Sequence, residues 1–143
     1  MNRTNRIGLA SELAFQRACI EIGVDVAVPV GPQRYDLLLR VSSAWWRVQV
    51  KTGRLRSGAI QFNTCSNAEG VGRKVGYDGV ADAIGVYCPD LDRCFLVPLA
   101  DCARSNGRLR VSPSRNRQSS RVRWADDYRL SLDHLASLAS RAG

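Results

Sequence analysis

Residues 45–52, WWRVQVKT, constrain the fold more than any other stretch, because their side chains alternate in character. Successive side chains of a strand point to opposite faces, so Trp46, Val48 and Val50 share one face and Arg47, Gln49 and Lys51 the other. A strand fit for a core thus presents an amide and an ammonium two residues apart. The preceding run, YDLLLRV at 35–41, reads as a second strand, with Ser42-Ser43 as the turn. A two-residue turn pairs Val41 with Ala44 and sets Asp36 opposite Gln49. A four-residue loop keeps that register, whereas a three-residue loop turns Asp36 to the wrong face. Asp36, Gln49 and Lys51 therefore converge on one face.

The flanking sequence supplies further elements. Helical spacing runs from Ile7 to Ile22, with Thr4 or Asn5 as the cap and Gly23 as the stop. Residues 24–30 alternate as a strand, and 31–34 form a turn. Residues 53–57 read as a basic loop before a fourth strand at 58–66, and 67–76 as irregular. Strands at 79–89 and 93–99 flank the turn Asp90-Leu91-Asp92. A helical turn at 100–105, a short strand at 107–112, a basic loop at 112–124 and a helix at 131–142 complete the chain. No repeat or long linker divides it. The expectation is one domain over 1–143 with a basic C-terminal extension at 104–143. A helix, antiparallel strands and then mixed elements predict an α+β fold with a mixed sheet.

Charge narrows the partners. The net charge is +8 over 143 residues, and seven arginines with no acid fall between Arg104 and Trp124. A clustered basic segment is the electrostatic footprint of a polyanion binder, so nucleic acid is the expected partner. No stretch approaches the roughly 20 apolar residues of a membrane span. The N-terminal residues lack a signal-peptide apolar run, and the chain is expected to be cytoplasmic. Five cysteines without a C-x-x-C pair, and a single histidine, His134, argue for buried reduced thiols rather than zinc.

An aspartate, a neutral oxygen donor and an ammonium make a hard-cation site with a charge beside it. Mg²⁺ takes oxygen ligands, keeps several waters and needs only one or two carboxylates when a substrate phosphate joins in. Asp36 would anchor the ion, with Gln49 Oε1 and the Val50 carbonyl as further oxygens. Glu12, on the first helix, is the remaining carboxylate of interest. Lys51 can orient or deprotonate an attacking water, or stabilise charge on a scissile phosphate. Lys51 and Lys74 are the only lysines in an arginine-rich chain. The same residues also fit a turn-ending aspartate, a wet strand face and a solvated helix position.

The stretches GLASELAFQRACIEIGVDVAVPVGPQRYDLLLR, WRVQVKTGRLRSGAIQFNTCS and YDGVADAIGVYCPDLDRCFLVPL resemble the PD-(D/E)XK nucleases, in their group I intron homing-endonuclease-like branch. The resemblance continues into SPSRNRQSSRVRWADDYRL and so spans Ile7 to Leu130. It implies a restriction-endonuclease-like core, a mixed four- or five-stranded sheet flanked by helices. It also implies catalytic roles for Glu12 as the helix glutamate, Asp36 as the motif aspartate, and Gln49 and Lys51 as the (D/E)-x-K pair. Gln49 replaces the usual carboxylate, as in the Q-x-K variant of the homing branch, and Tyr35 stands where a proline is usual.

The implied activity is Mg²⁺-dependent hydrolysis of double-stranded DNA, with Mn²⁺ as a substitute. Asp36, Glu12, Gln49 and Val50 would form the metal site. Arg47, Arg54, Arg56, Arg115, Arg117, Arg121 and Arg123 would grip DNA. A double-strand break by one site per chain implies a homodimer or homotetramer. Two rivals remain: a structure-selective nuclease such as a Holliday-junction resolvase, and a non-catalytic nuclease-fold DNA-binding protein.

Overall fold

The computed structural model describes residues 1–67, 74–116 and 121–142. Helix α1 spans Arg3–Glu21 and starts earlier than its apolar spacing suggests. Its cap is Asn2, whose side-chain oxygen accepts from the Asn5 N–H at 2.8 Å, rather than Thr4 or Asn5. A short amide side chain outside the helix satisfies an orphan N–H of the first turn, and this cap lies beyond the reach of hydrophobic periodicity. Gly23, at φ +85°, ends the helix as its sequence position predicts.

Ten strands follow among the described residues: β1 (Val26–Ala27), β2 (Leu37–Val41), β3 (Ala44–Thr52), β4 (Arg54–Arg56), β5 (Ala59–Asn63), β6 (Cys65–Asn67), β7 (Lys74–Gly76), β8 (Ala83–Cys88), β9 (Arg93–Pro98) and β10 (Asn106–Arg110). Helix α2 covers Leu132–Ala142. The main sheet runs β1-β2-β3-β8-β9, antiparallel throughout except for β3 beside β8. The sheet is mixed, as the element order predicts. The expected strand at 24–30 shrinks to Val26–Ala27, with Val28 and Val30 exposed. The expected loop at 53–57 is instead built around β4, which pairs with β5.

Ser42 turns the β2–β3 connection at φ +58°, and Val41 pairs with Ala44. The register of that hairpin matches its reading from sequence. β8 lies between β3 and β9, and five of its six residues are buried, as expected of a strand covered on both faces. Its parallel pairing with β3 requires a long crossover, which carries β4 to β7.

One face of the main sheet packs on both helices, with Phe15 and Cys19 of α1 and Leu135 and Leu138 of α2 over Leu37, Leu39, Val48 and Leu96. Phe15 lies so close to Gly85 that a Cβ there would come within 2.8 Å of its ring. The opposite face is covered by a small sheet ordered β10-β5-β4, whose Ile60, Phe62 and Leu109 meet Ile84, Val86, Phe95 and Val97. Beyond residue 104, β10 completes the small sheet and α2 the helical layer. No helix among the described residues is long and apolar enough to cross a membrane. Among the five free cysteines, Cys19, Cys65, Cys88 and Cys94 are buried, and His134 Nε2 lies 2.7 Å from the Leu96 carbonyl.

Candidate active site

The site forms where β3 outruns β2. Leu37 pairs with Val48, so the last four residues of β3 have no β2 partner. Asp36 stands at that edge, its N–H donating to the Val48 carbonyl at 2.8 Å. Its Oδ2 accepts from the Val50 N–H at 2.7 Å, filling the position that a further β2 residue would take. In a strand, a residue's N–H and C=O point to the same edge, so the Val50 carbonyl faces the Asp36 side as well.

Helix α1 brings the Glu12 carboxyl up to that of Asp36. Burial, then the charge of Asp36 and then hydrogen bonding to its side chain push the Glu12 pKa up to about 7. Burial also raises Asp36, against the opposing pull of the Val50 N–H, Glu12 and the Lys51 ammonium. Two carboxylates forced together and partly desolvated hold protons too tightly, so the pair is short of positive charge. One and two turns before Glu12, Gly8 and Thr4 line the same wall, and Ser11 ties α1 to the end of β3 through Thr52 at 2.6 Å.

Glu12, Gln49, Val50 and Lys51 open on a cleft of about 570 Å³. Its far wall is Arg54 and Arg56 of β4, Gln61 and Asn63 of β5, and Asn106 of β10. Lys51 is half-buried and held from two sides. Its Nζ donates to the Cys65 carbonyl at 3.3 Å and stands 5.0 Å from the centroid of the buried Tyr77 ring. Opposite the amide of Gln49, β8 offers only Ile84.

The geometry therefore brings Glu12, Asp36, Gln49, Val50 and Lys51 together. No three His, Cys, Asp or Glu gather among the described residues, so the oxygens on offer are two carboxylates, one amide and a carbonyl. That set is hard, anionic and open to solvent, which fits a divalent cation such as Mg²⁺.

The arginines divide into two groups. Arg47 lies on β3 but turns away from the cleft. Its backbone N–H and Nε donate to Asp82 Oδ2 at 2.7 and 3.2 Å, its Nη2 to Oδ1 at 3.1 Å, and its Nη1 to the Gly79 carbonyl at 2.9 Å. Arg123 donates to the Tyr128 hydroxyl at 2.9 Å and lies 3.7 Å from Asp101. Arg54, Arg56, Arg115 and Arg121 are exposed, and Arg117 lies outside the described residues. Sequence reasoning missed Tyr77, Gln61, Asn63 and Asn106 as neighbours of the site. Nothing local links Tyr77 to Lys51.

A family profile described as PD-(D/E)XK endonuclease matches residues 2–131. No curated protein matches the chain. Among solved structures, the chain is similar in fold to a bacterial homing endonuclease, I-Ssp6803I, at 19% identity and a TM-score of 0.75, covering 98% of this chain and 97% of that one. That overlap makes the fold restriction-endonuclease-like.

Proposed function

The chain belongs to the PD-(D/E)XK endonuclease family, and from that premise we propose that it is a Mg²⁺-dependent DNA endonuclease of the homing type, with Mn²⁺ able to substitute. The observation that carries this reading is the approach of Glu12 to Asp36 beside Lys51: two carboxylates side by side, with Glu12 and a fixed ammonium lining one open cleft.

Asp36, Glu12, Gln49 Oε1 and the Val50 carbonyl would hold the cation. Bound there, a divalent cation polarises the scissile phosphate and lowers the pKa of water. The Val50 N–H fixes the Asp36 carboxylate through Oδ2. Lys51, steadied by the Cys65 carbonyl and Tyr77, orients the attacking water or stabilises charge developing on the phosphate. Arg54 and Arg56 supply positive charge to the far wall, where backbone phosphates would be positioned. One cleft per chain faces one strand at a time, so a double-strand break calls for a two-fold homodimer or a homotetramer.

The test is nicking and linearisation of plasmid DNA with Mg²⁺, Mn²⁺ or chelator, with a four-way junction as a parallel substrate. Cation-dependent cleavage that Lys51→Ala abolishes supports the reading, and a marked preference for the junction redirects it to a structure-selective nuclease. A second reading, DNA binding without catalysis, draws support from the amide at position 49 where the family's motif has a carboxylate. Equal DNA binding with Mg²⁺ or chelator, and no nick with either, would establish it.

A further inference from the structure

We propose that Arg34 is a positioning residue for Lys51, acting through the base of the two-stranded β6–β7 ribbon. What Lys51 does rests on the endonuclease reading above; how Arg34 reaches it rests on the ribbon.

Both supports of the Lys51 ammonium lie at one end of that ribbon. Cys65 opens β6 and pairs in register with Gly76, which closes β7, and Tyr77 follows directly. Lys51 Nζ donates to the Cys65 carbonyl at 3.3 Å, on one strand of this pair. Arg34 Nη2 donates to the Gly76 carbonyl at 2.8 Å, on the other. The two cations also share a ring, with Arg34 Cζ 5.1 Å and Lys51 Nζ 5.0 Å from the Tyr77 centroid. Aromatic faces are negative, so the ring attracts each cation.

These contacts close a circuit. Arg34 precedes Asp36 by two residues, and Asp36 Oδ2 accepts the N–H of Val50, next to Lys51 on β3. From Val50 the path runs through Lys51 to Cys65, across the register to Gly76, and through Arg34 back to Asp36. In a closed circuit each member limits the movement of the others, and a circuit cut at one contact lets its ends shift. Arg34 is the member that offers neither a cation ligand nor a reacting group.

The ribbon has use for such a tie. Among the described residues, β6 and β7 pair with each other and with no strand of the two larger sheets. The β6 side is anchored through Thr64, whose N–H donates to the Ser105 carbonyl at 3.0 Å and whose Oγ1 donates to that of Ala103. On the β7 side, Arg34 holds the Gly76 carbonyl. Tyr77 is also buried in the core beneath the small sheet. Apolar burial is non-directional, and a guanidinium bonded to the strand end and set over the ring adds direction.

The experiment combines plasmid cleavage in Mg²⁺ with salt-dependent DNA binding in chelator. The proteins are parent, Arg34→Ala, Arg34→Lys, Tyr77→Leu and the Arg34→Ala/Tyr77→Leu double variant, each checked for a cooperative thermal transition. Arg34→Ala should lower kcat by about 10- to 100-fold, the scale of a displacement of about 1 Å, with KM and the salt slope unchanged. Arg34→Lys should recover most of the loss, since an ammonium can still bond the Gly76 carbonyl. The double variant should lose less than the two single losses combined, the mark of residues acting as a unit.

A second readout needs no cleavage. Lys51 and Lys74 are the only lysines, so lysine labelled with ¹³C at Cε gives two signals, and Lys51→Ala identifies that of Lys51. The parent signal should carry the ring-current shift of a group over an aromatic face, and Arg34→Ala should move it toward the position of free lysine. An Arg34→Ala protein with the parental kcat, or with an unmoved Lys51 signal, overturns the proposal. So does a raised KM with a salt slope reduced by about one, which would make Arg34 a phosphate contact. A parent that never cuts strikes the endonuclease reading, and the Lys51 signal then decides this proposal alone.

Discussion

Asp36 Oδ2 accepts the Val50 N–H at 2.7 Å, so the proposed metal-anchoring residue also completes the hydrogen bonding of the strand that carries Gln49 and Lys51. Removing it should have two separable effects. Asp36→Asn keeps an oxygen to receive the Val50 N–H and loses the charge, so the protein should fold and fail to cut. Asp36→Ala leaves the N–H unpaired and should cost about 1–3 kcal/mol of stability in addition. Urea unfolding alongside plasmid nicking separates these outcomes. An Asp36→Asn protein that cuts like the parent would remove Asp36 from the chemistry.

Glu12 gives stability an uncommon pH dependence. Its pKa lies at about 7 in the fold against an ordinary 4.5. The folded state thus binds that proton more tightly than the unfolded chain, and the stabilising contribution is complete below the ordinary value. It is lost as pH rises through the window between 4.5 and about 7. In chelator, the melting temperature of the parent should fall across that window relative to Glu12→Gln. Parallel pH profiles for the two proteins would show that Glu12 does not meet Asp36 as described.

Gln49→Glu supplies the carboxylate that the family's motif usually carries. A third anion beside Glu12 and Asp36 should lower melting temperature in chelator through like-charge repulsion. The same charge should tighten Mg²⁺ binding, so added Mg²⁺ should raise the melting temperature of the variant by more than that of the parent. Equal responses to Mg²⁺ would place Gln49 outside the metal site.

Arg47 faces the same way as Gln49 and Lys51 by strand alternation, and from sequence it reads as a DNA contact. Its guanidinium is nonetheless held by Asp82, thirty-five residues away. Arg47→Ala should therefore lower thermal stability and leave the salt slope of DNA binding unchanged. A slope reduced by about one would restore Arg47 to the DNA contacts.

What was legible from sequence and what was not follow from range. The β2–β3 hairpin is local: Ser42-Ser43 fixes its register, and the register puts Asp36 beside Gln49. The helix over 7–22 and the strands at 83–88 and 93–98 are likewise visible as apolar patterns. β4 was hidden, because Arg-Leu-Arg is short and reads as a charged loop until β5 pairs with it. The partners of Arg47 and Lys51, namely Asp82, Cys65 and Tyr77, come from the β3-to-β8 crossover. No periodicity within a dozen residues encodes such contacts. The Asn2 cap lay outside the periodic run for the converse reason, since a polar residue ahead of a helix leaves no apolar trace.

Lys51 offers the sharpest test, because its ammonium has two supports that do not depend on cation or substrate. The Cys65 carbonyl accepts from it at 3.3 Å, and the Tyr77 ring lies 5.0 Å away. Lys51→Ala should leave the fold and DNA affinity nearly intact while cutting cleavage by about 10²–10⁴-fold, the usual worth of a positioned proton-transfer group. Lys51→Arg should not rescue it fully, because a planar guanidinium cannot replace a compact ammonium in that niche. Tyr77→Phe retains the ring and should keep activity, whereas Tyr77→Leu removes the quadrupole that faces Nζ and should lower kcat more than it changes KM. A Tyr77→Leu protein that matches Tyr77→Phe in both constants would leave the Cys65 carbonyl as the support that matters. A Lys51→Ala protein that cuts like its parent would remove this strand from catalysis altogether.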